Sequence, residues 1–332
     1  MICDGRKHYL SETGLNCMEK TFYFDVPLAP TQWNLQWVLS QQGWGATEVV
    51  HHALLSEMNL FSDESLSVLE YKHLFASYCR QHAFAFVPDT YAVDELNVTL
   101  VTQKLADEVG EWIIKPSLLN NGKGIYIARD ISQVADYFAQ PQRMGGMHVL
   151  QKYIAQPALM EGKKYSLRQF AVITNQGKGY LYRQGYLNIC QQPYLPNELH
   201  KVEAHLTNEH LSLTGRCNNT QLHCQEWPAY PTFWPVISEH CCQLMKPFLA
   251  SVRAKQKNEP LKLGFLGIDF MVDVDDKLWL LEINHGPCFP TSETHPLFDV
   301  LYSNFWRHVG EEIILPLFQS RNPSVQANFI VL

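Results

Sequence analysis

From Leu263 to Asp273, and again from Lys277 to Asn284, the chain is apolar with acids and amides recurring at strand spacing. Asp275-Asp276 between the two runs is a polar turn, so the pattern predicts a β-hairpin. Strand side chains alternate faces, which sets Asp269, Met271 and Asp273 on one side and gathers Leu278, Leu280, Glu282 and Asn284 on one side of the return strand. With Asp275-Asp276 as a two-residue loop, Val274 faces Lys277 and Asp269 falls opposite Glu282. Phe270, Val272, Trp279 and Leu281 make both strands read as buried, against the alternative of a surface hairpin with solvated acids.

Helical spacing of Leu66, Leu69, Leu74, Phe75 and Tyr78 predicts a helix over 65–81, with Ser65 as its cap. A helix is also expected over 31–41, in an aromatic-rich stretch that carries Trp33, Trp37 and Trp44. Strands are predicted at 84–88, 112–116, 125–128, 148–154, 164–174 and 179–189, and a helix at 131–139 beyond Asp130. Residues 193–235 have little period and many turn formers, and read as a long loop. Helices over 236–255 and 298–318 complete the pattern.

At 332 residues, with 46% hydrophobic and 18% charged residues, the chain has the composition of an ordinary globular protein with a substantial core. No apolar run approaches the roughly 18 to 20 residues that cross a bilayer. The N-terminal Met1–Lys7 stretch is polar. The expectation is a protein of a cytoplasm, its own or a host's, with no membrane partner. A net charge of −7 argues against nucleic acid. Locally the sign reverses: 151–201 holds Lys152, Lys163, Lys164, Arg168, Lys178, Arg183 and Lys201 against Glu161 and Glu198, seven minus two or +5. Such a strip suits phosphates or carboxylates, or is a solvated face. Nine cysteines without framework spacing fit reduced thiols. Cys217, His223, Cys224, His240, Cys241 and Cys242 lack the usual zinc-ligand spacing.

Asp269, Glu282 and Asn284 bring three oxygen ligands to one face of an apolar hairpin. Hard divalent cations take that set, and magnesium fills its remaining positions with phosphate oxygens and water. Two carboxylates packed together repel, so a positive partner is expected. The turn Asn121-Gly122-Lys123-Gly124 joins two strands, so neither the Rossmann nor the P-loop context is met. Its glycines would still let backbone N–H groups approach a phosphate. Lys115, flanked by Ile113, Ile114 and Pro116, needs an anion if it points inward, and snorkels if it does not. Arg168 and Arg183, one in each of two successive strands, could clamp a transferring phosphoryl group if both face inward.

In order along the chain stand Trp112-Ile113-Ile114-Lys115, Gly122-Lys123-Gly124-Ile125, Val149-Leu150-Gln151-Lys152-Tyr153-Ile154, Lys164-Tyr165-Ser166-Leu167-Arg168, Leu181-Tyr182-Arg183-Gln184-Gly185, His205-Leu206-Thr207-Asn208 and Gly267-Ile268-Asp269-Phe270 with Trp279-Leu280-Leu281-Glu282-Ile283-Asn284. Together these resemble the tubulin tyrosine ligase family of ATP-grasp ligases, from about Leu69 to Pro287. The resemblance implies an α+β ATP-grasp fold with the nucleotide between a central and a C-terminal lobe. It divides the chain into a divergent N-terminal lobe (1–95), a central lobe (96–155) and a C-terminal lobe with the metal hairpin (156–332). It implies Lys72 and Lys115 on the phosphates, Gly122, Lys123, Gly124 and Ile125 as the phosphate loop, and Gln151, Lys152, Tyr153 and Ile154 as the adenine hinge. Thr207 and Asn208 then lie on the ribose and phosphate side, and Asp269, Glu282 and Asn284 hold magnesium. Arg168 and Arg183 stand around the γ-phosphate and acyl-phosphate, and Lys164 near the acceptor carboxylate.

Two positions depart from the family pattern. Ser166 stands where an aspartate usually bonds the ribose, and Asn188 where an arginine commonly follows. The implied function is ATP-dependent addition of a free amino acid to a peptide or protein carboxylate, on tubulin or another acidic tail. The alternatives are the same chemistry on a small peptide or metabolite, and an inactive nucleotide- or tubulin-binding module.

Overall fold

The computed structural model describes residues 20–24, 30–49, 52–58, 64–209, 211, 217–255, 259–287, 289–290, 292–319, 323 and 327–332. Expectations for the N-terminal stretch before residue 20, and for 212–216 of the expected loop, lie outside these residues. Among the described residues, fourteen strands run in chain order: β1 (Thr21–Tyr23), β2 (Gly45–Ala46), β3 (Leu55–Glu57), β4 (Thr90–Val93), β5 (Trp112–Pro116), β6 (Tyr126–Ala128), β7 (His148–Lys152), β8 (Leu159–Met160), β9 (Lys163–Thr174), β10 (Gly179–Cys190), β11 (Asn219–His223), β12 (Leu261–Val272), β13 (Leu278–His285) and β14 (Phe329–Val331).

They make two sheets, so the fold is mixed α+β. In the ten-stranded sheet the order is β11-β10-β9-β12-β3-β1-β2, with β13 on β12, β14 on β10 and β8 on β9. The smaller antiparallel sheet is β4-β7-β5-β6. Strands from the first sixty residues are hydrogen-bonded into the large sheet, where β3 runs parallel to β12.

Alternation on β9 decides what each face of the large sheet meets. Tyr165, Leu167, Ala171 and Ile173 pack with Phe233, Ile237, Leu244 and Phe248 of the long helix α6 (Tyr230–Ala254). On the opposite face Phe170 and Val172 meet Phe305 and Trp306, in the helical segment 298–318. Lys164, Ser166 and Arg168, further along that same face, line a cleft. One half of this face is therefore apolar core and the other half is polar floor. The small sheet stands over the floor. Its Trp112 and Ile114 side packs against α5 (Ser132–Ala139), while Ile113 and Lys115 look into the cleft.

Several sequence expectations shift. The helix expected over 65–81 is two pieces, Ser67–Glu70 and Lys72–Gln81, separated at Tyr71, whose ψ of 117° is extended. Ser65 is not its cap but lies inside a 3-10 turn, Glu64–Leu66. Residues 84–88 form turns, and the strand comes just afterwards as β4. The long helix starts at Tyr230, not 236, because Pro231 fits the first helical turn, where its missing N–H has no partner to lose. The expected loop 193–235 contains β11, whose pairing partner β10 is distant in sequence. The closing helix is interrupted by wider π-type turns at Phe298–Tyr302 and Val309–Ile314.

The hairpin turn is longer by one residue than a two-residue loop. Asp273 and Lys277 bracket Val274-Asp275-Asp276, with Asp276 at φ 59°. Asp273 Oδ1 accepts the Asp275 and Lys277 backbone N–H groups at 3.0 and 2.9 Å, so this acid builds the turn. Val272 then pairs with Leu278 and Phe270 with Leu280, yet Asp269 pairs with Glu282. Leu281 is a bulge that restores the offset. It also flips the faces: Leu278, Leu280 and Ile283 enter the core, while Glu282 and Asn284 face the cleft with Leu281. The expected grouping of Leu278 and Leu280 with Glu282 is corrected accordingly.

Candidate active site

The cleft has a volume of about 300 Å³, and its floor is a row of paired strand positions. Glu282 faces Asp269, Asp269 faces Arg168, Arg168 faces Tyr186, and Tyr186 faces His223. The next row holds Ser166, Asn188 and Gln221 in register. The floor therefore grades from acidic, through one guanidinium, to neutral.

Arg168 holds Asp269 through two parallel bonds, Nε to Oδ1 at 2.5 Å and Nη2 to Oδ2 at 2.8 Å, the strongest geometry open to such a pair. Gly267 makes this possible. A Cβ there would lie 2.8 Å from Arg168 Nη1 and 3.1 Å from its Cδ, so only glycine lets the side chain lie flat across β12. Asn284 Nδ2 donates to Asp269 Oδ2 at 3.0 Å. Burial pushes the Asp269 carboxyl above its ordinary range, and Arg168 offsets that only in part. Burial also works against the Glu282 carboxylate, but the Lys72 and Lys115 ammoniums and Arg168 outweigh it and hold that group low.

Lys72 and Lys115 face these acids. Lys72 Nζ stands 3.9 Å from Glu282 Oε2 and donates to the Leu119 carbonyl at 2.9 Å, tying α3 (Lys72–Gln81) to the turn after β5. Lys115 is buried and donates to Gln151 Oε1 at 2.9 Å, and Gln151 in turn donates to Thr90 Oγ1 at 2.9 Å. Desolvation lowers the Lys115 pKa, as expected for an ammonium with only a neutral amide in contact.

Lys164 is 2% exposed and meets no carboxylate among the described residues. Its Nζ donates to Tyr153 OH at 2.9 Å and lies over the Tyr153 ring. His205 Nε2 points at the Glu198 carbonyl, at 3.1 Å, and so carries the proton. Its Nδ1 must then accept from Tyr153 OH, at 2.8 Å. Tyr153 thus keeps its oxygen for Lys164. Burial lowers the Lys164 pKa to about 7, as expected for an ammonium desolvated without a carboxylate partner among the described residues.

Asn121 and Gly122 both have positive φ, 57° and 71°. A Cβ on Gly122 would meet Leu211 Cδ2 at 2.3 Å, so the turn is closed against the segment carrying Thr207 and Asn208. Thr207 Oγ1 lies 2.7 Å from Ser166 Oγ.

The cleft gathers Lys72, Lys115, Gly122, Lys123, Ile125, Gln151, Lys152, Tyr153, Ile154, Lys164, Arg168, Thr207, Asn208, Asp269, Glu282 and Asn284. Gly124 lies outside it, against the Pro116 ring. Arg183 lies outside as well, which corrects the expected pair of guanidiniums across the gap. Its side chain shares the α6 face of the sheet and sits over the Trp234 ring, 5.7 Å from the centroid. Since Tyr186 faces Arg168, parity sends residue 183 to the other side. The basic strip also divides: Lys201 pairs with Glu198, and Lys152 turns to the Val109 carbonyl over Trp112.

Glu70, which sequence reasoning did not single out, lines the cleft and accepts the His285 backbone N–H at 2.6 Å. The break at Tyr71 lets Glu70 and Lys72 both reach this region. Asn219 and Gln221, from the segment read as loop, were missed too. Gly267 could have been noticed as a glycine within an otherwise bulky strand.

No three His, Cys, Asp or Glu side chains cluster as a metal site among the described residues. The Asp269, Glu282 and Asn284 set has two carboxylates and an amide. Three of the roughly four lone-pair sites of Asp269 are occupied by Arg168 and Asn284, leaving one for a further partner. All-oxygen donors with one carboxylate raised by burial fit a hard cation that brings phosphate and water ligands of its own.

The site is thus a lysine- and carboxylate-lined cleft between the two sheets of an α+β fold. The tubulin-tyrosine ligase family profile matches residues 62–309, and the chain belongs to that family. It is 28% identical over 282 residues to the protein polyglycylase TTLL10 of Macaca fascicularis, covering 71% of this chain and 45% of that protein. It is 26% identical over 288 residues to the inactive polyglycylase TTLL10 of Homo sapiens, covering 71% and 41%. With the probable alpha-tubulin polyglutamylase Ttll1 of Tetrahymena thermophila it shares 25% over 224 residues, covering 61% and 54%. The chain thus spans about half the length, or less, of these curated relatives. Among the described residues, no helix is long and apolar enough to cross a membrane.

Proposed function

We propose that this chain is an ATP-dependent carboxylate–amine ligase that adds a free amino acid to a carboxylate of a protein or peptide. The row Glu282–Asp269–Arg168, faced by Lys72 and Lys115, is the observation that carries this reading. It sets opposed charges within one cleft, which suits a metal-bound triphosphate. Lys72 and Lys115 hold the phosphates, the turn carrying Gly122, Lys123 and Ile125 lies over them, and the hinge 151–154 frames adenine. Thr207 and Asn208 serve the ribose side, with Ser166 Oγ beside Thr207 in place of a carboxylate. Asp269, Glu282 and Asn284 would hold magnesium, which neutralises phosphate charge when bound.

In the reaction, an acceptor carboxylate oxygen attacks the γ-phosphorus and the bond to ADP breaks, giving an acyl-phosphate. The amino group then attacks the carbonyl carbon, an amide forms, phosphate leaves, and the amine loses its proton to water. Arg168 steadies the transferring group, and Lys164 pairs with an anion of the acceptor. This reading keeps three lobes, 1–95, 96–155 and 156–332, with the nucleotide between the central and C-terminal ones, in a cytoplasm. An acidic tail of tubulin or of another protein is the proposed acceptor, with a small peptide as the variant on the same chemistry.

Mass spectrometry of tubulin and short acidic peptides, after incubation with Mg-ATP and mixed amino acids, tests the reading. Whole amino-acid mass increments, with one ADP per addition, are expected. Unmodified acceptors and no ADP release with any pair would overturn it. A binding-only module is favoured by one observation, the neutral Asn188 on the cleft floor beside Ser166. It predicts ATP binding without turnover, indifferent to Glu282→Gln.

A further inference from the structure

A single imidazole ties together parts of the cleft that lie far apart in sequence. His205 follows the 3-10 turn Val202–Ala204 and is 1% exposed. Its Nε2 proton goes to the Glu198 carbonyl at 3.1 Å, and its Nδ1 accepts from Tyr153 OH at 2.8 Å. The Tyr153 oxygen, in the segment just after β7, in turn accepts from Lys164 Nζ on β9 at 2.9 Å. Two residues beyond His205, Thr207 meets Ser166 on that same strand. The titratable groups facing Lys164 are Tyr153 and Tyr194, whose rings it overlies, the Cys190 thiol on β10 and the Lys115 ammonium on β5. Burial pushes the thiol up to about 11 and raises both phenols, so none of these is an anion near neutral pH. Tyr194 gives its own proton to the Ala155 carbonyl at 2.7 Å.

We infer that His205 is a positioning residue: by taking the Tyr153 proton it fixes the direction of the chain His205–Tyr153–Lys164, so that Lys164 stands as a donor towards an anionic substrate oxygen in the cleft. The substrate part rests on the ligase reading above, whereas the direction of the chain does not. A phenol oxygen that accepts from Lys164 must give its own proton elsewhere, and His205 Nδ1 is the acceptor at bonding distance. Without that acceptor the Tyr153 proton turns to Lys164, which can take it only as a neutral amine. A neutral amine has lost the charge that holds an anion.

NMR of the full chain labelled at the lysine Cε tests this, with the Lys164 signal identified by its loss in Lys164→Met. Followed against pH without ligand, that signal should titrate about one pH unit lower, or more, in His205→Leu, the effect of one hydrogen bond to a charged group. His205→Asn, whose Oδ1 stands in the place of Nδ1, should restore the midpoint, which a purely space-filling imidazole would not do. In a Tyr153→Phe background His205→Leu should add nothing, because His205 acts through that hydroxyl. Should His205→Leu fail to fold, Tyr153→Phe alone should show the same lowering. An unchanged midpoint, with the Tyr153 proton passing to Tyr194 instead, would overturn the inference. So would failure of asparagine to restore it, or additive effects of the two substitutions. Mg-ADP or a short glutamate peptide should raise the midpoint of the unaltered chain, and the one that does so identifies the anion as phosphate or carboxylate. Mg-ADP and peptide that both bind and leave the signal unmoved would also overturn it. Absence of Mg-ADP binding would remove the ligase reading and leave the ligand-free comparison standing.

Discussion

Asp269 lies opposite Glu282 because Leu281 bulges out of β13, which cancels the extra residue in the hairpin turn. Without the bulge, Asp269 would face Leu281 and the second acid would point into the core side. The two acids are nonetheless not equivalent. Asp269 is locked by Arg168, whereas Glu282 meets Lys72 only at 3.9 Å. Asp269→Asn should destabilise the fold by about 3–5 kcal/mol, since it strands a buried guanidinium, while Glu282→Gln should cost at most about 1 kcal/mol. Urea denaturation of both variants checks this ordering.

Lys164 predicts a pH dependence of stability. Its pKa falls from the ordinary 10.5 to about 7 on folding. Between those values the unfolded chain binds a proton that the native chain lacks, so this group makes stability rise with pH across that window. Below about pH 7 its full unfavourable contribution is present. Lys164→Met should flatten the rise and stabilise the protein near pH 6 by a few kcal/mol, roughly. Melting curves from pH 6 to 10 would show the difference.

Gly267→Ala should push Arg168 off Asp269, because the three atoms nearest to a Cβ there all belong to Arg168. A Cβ 2.8 Å from Nη1 forces the guanidinium to move. ATP turnover should fall by about tenfold or more, as expected when one transition-state contact is displaced. Arg183→Met, on the opposite face, should leave nucleotide affinity within about twofold. Steady-state kinetics and calorimetry on the two variants separate these roles.

Gly122→Ala meets both a left-handed backbone and the Leu211 side chain. It should open the turn from the 206–211 segment, costing about 1–2 kcal/mol and weakening ATP binding. Alanine at Gly146, whose φ is 85° with nothing within 4 Å of a Cβ, should carry the backbone cost alone and leave ATP affinity unchanged.

The sequence made much of this legible, and the failures have identifiable causes. Strong alternation placed β5, β7, β9, β10 and the hairpin within a residue or two, because both faces of those strands are distinctive. The Asp269–Glu282 pairing is legible even though the turn is one residue longer than Asp275-Asp276 suggests, because the Leu281 bulge, which nothing in the sequence announces, cancels the difference. Arg183 lies on the α6 face because residues 183 and 186 of β10 differ in parity, which its motif alone does not reveal. Asn219 and Gln221 were hidden because β11 is a short polar strand, recognisable only through its partner. Glu70 reaches the cleft by a helix break at Tyr71 that no proline or glycine announces.

The central claim is that the acidic set on the hairpin and the lysines above it form one magnesium–nucleotide site. Calorimetric titration of the full chain with Mg-ATP tests this most directly, repeated with magnesium chelated and in a Glu282→Gln, Asn284→Ala double variant. The account predicts saturable one-to-one binding that weakens by about tenfold or more under either change. Absence of binding to the unaltered chain, or an affinity untouched by chelation and by the double variant, would contradict it.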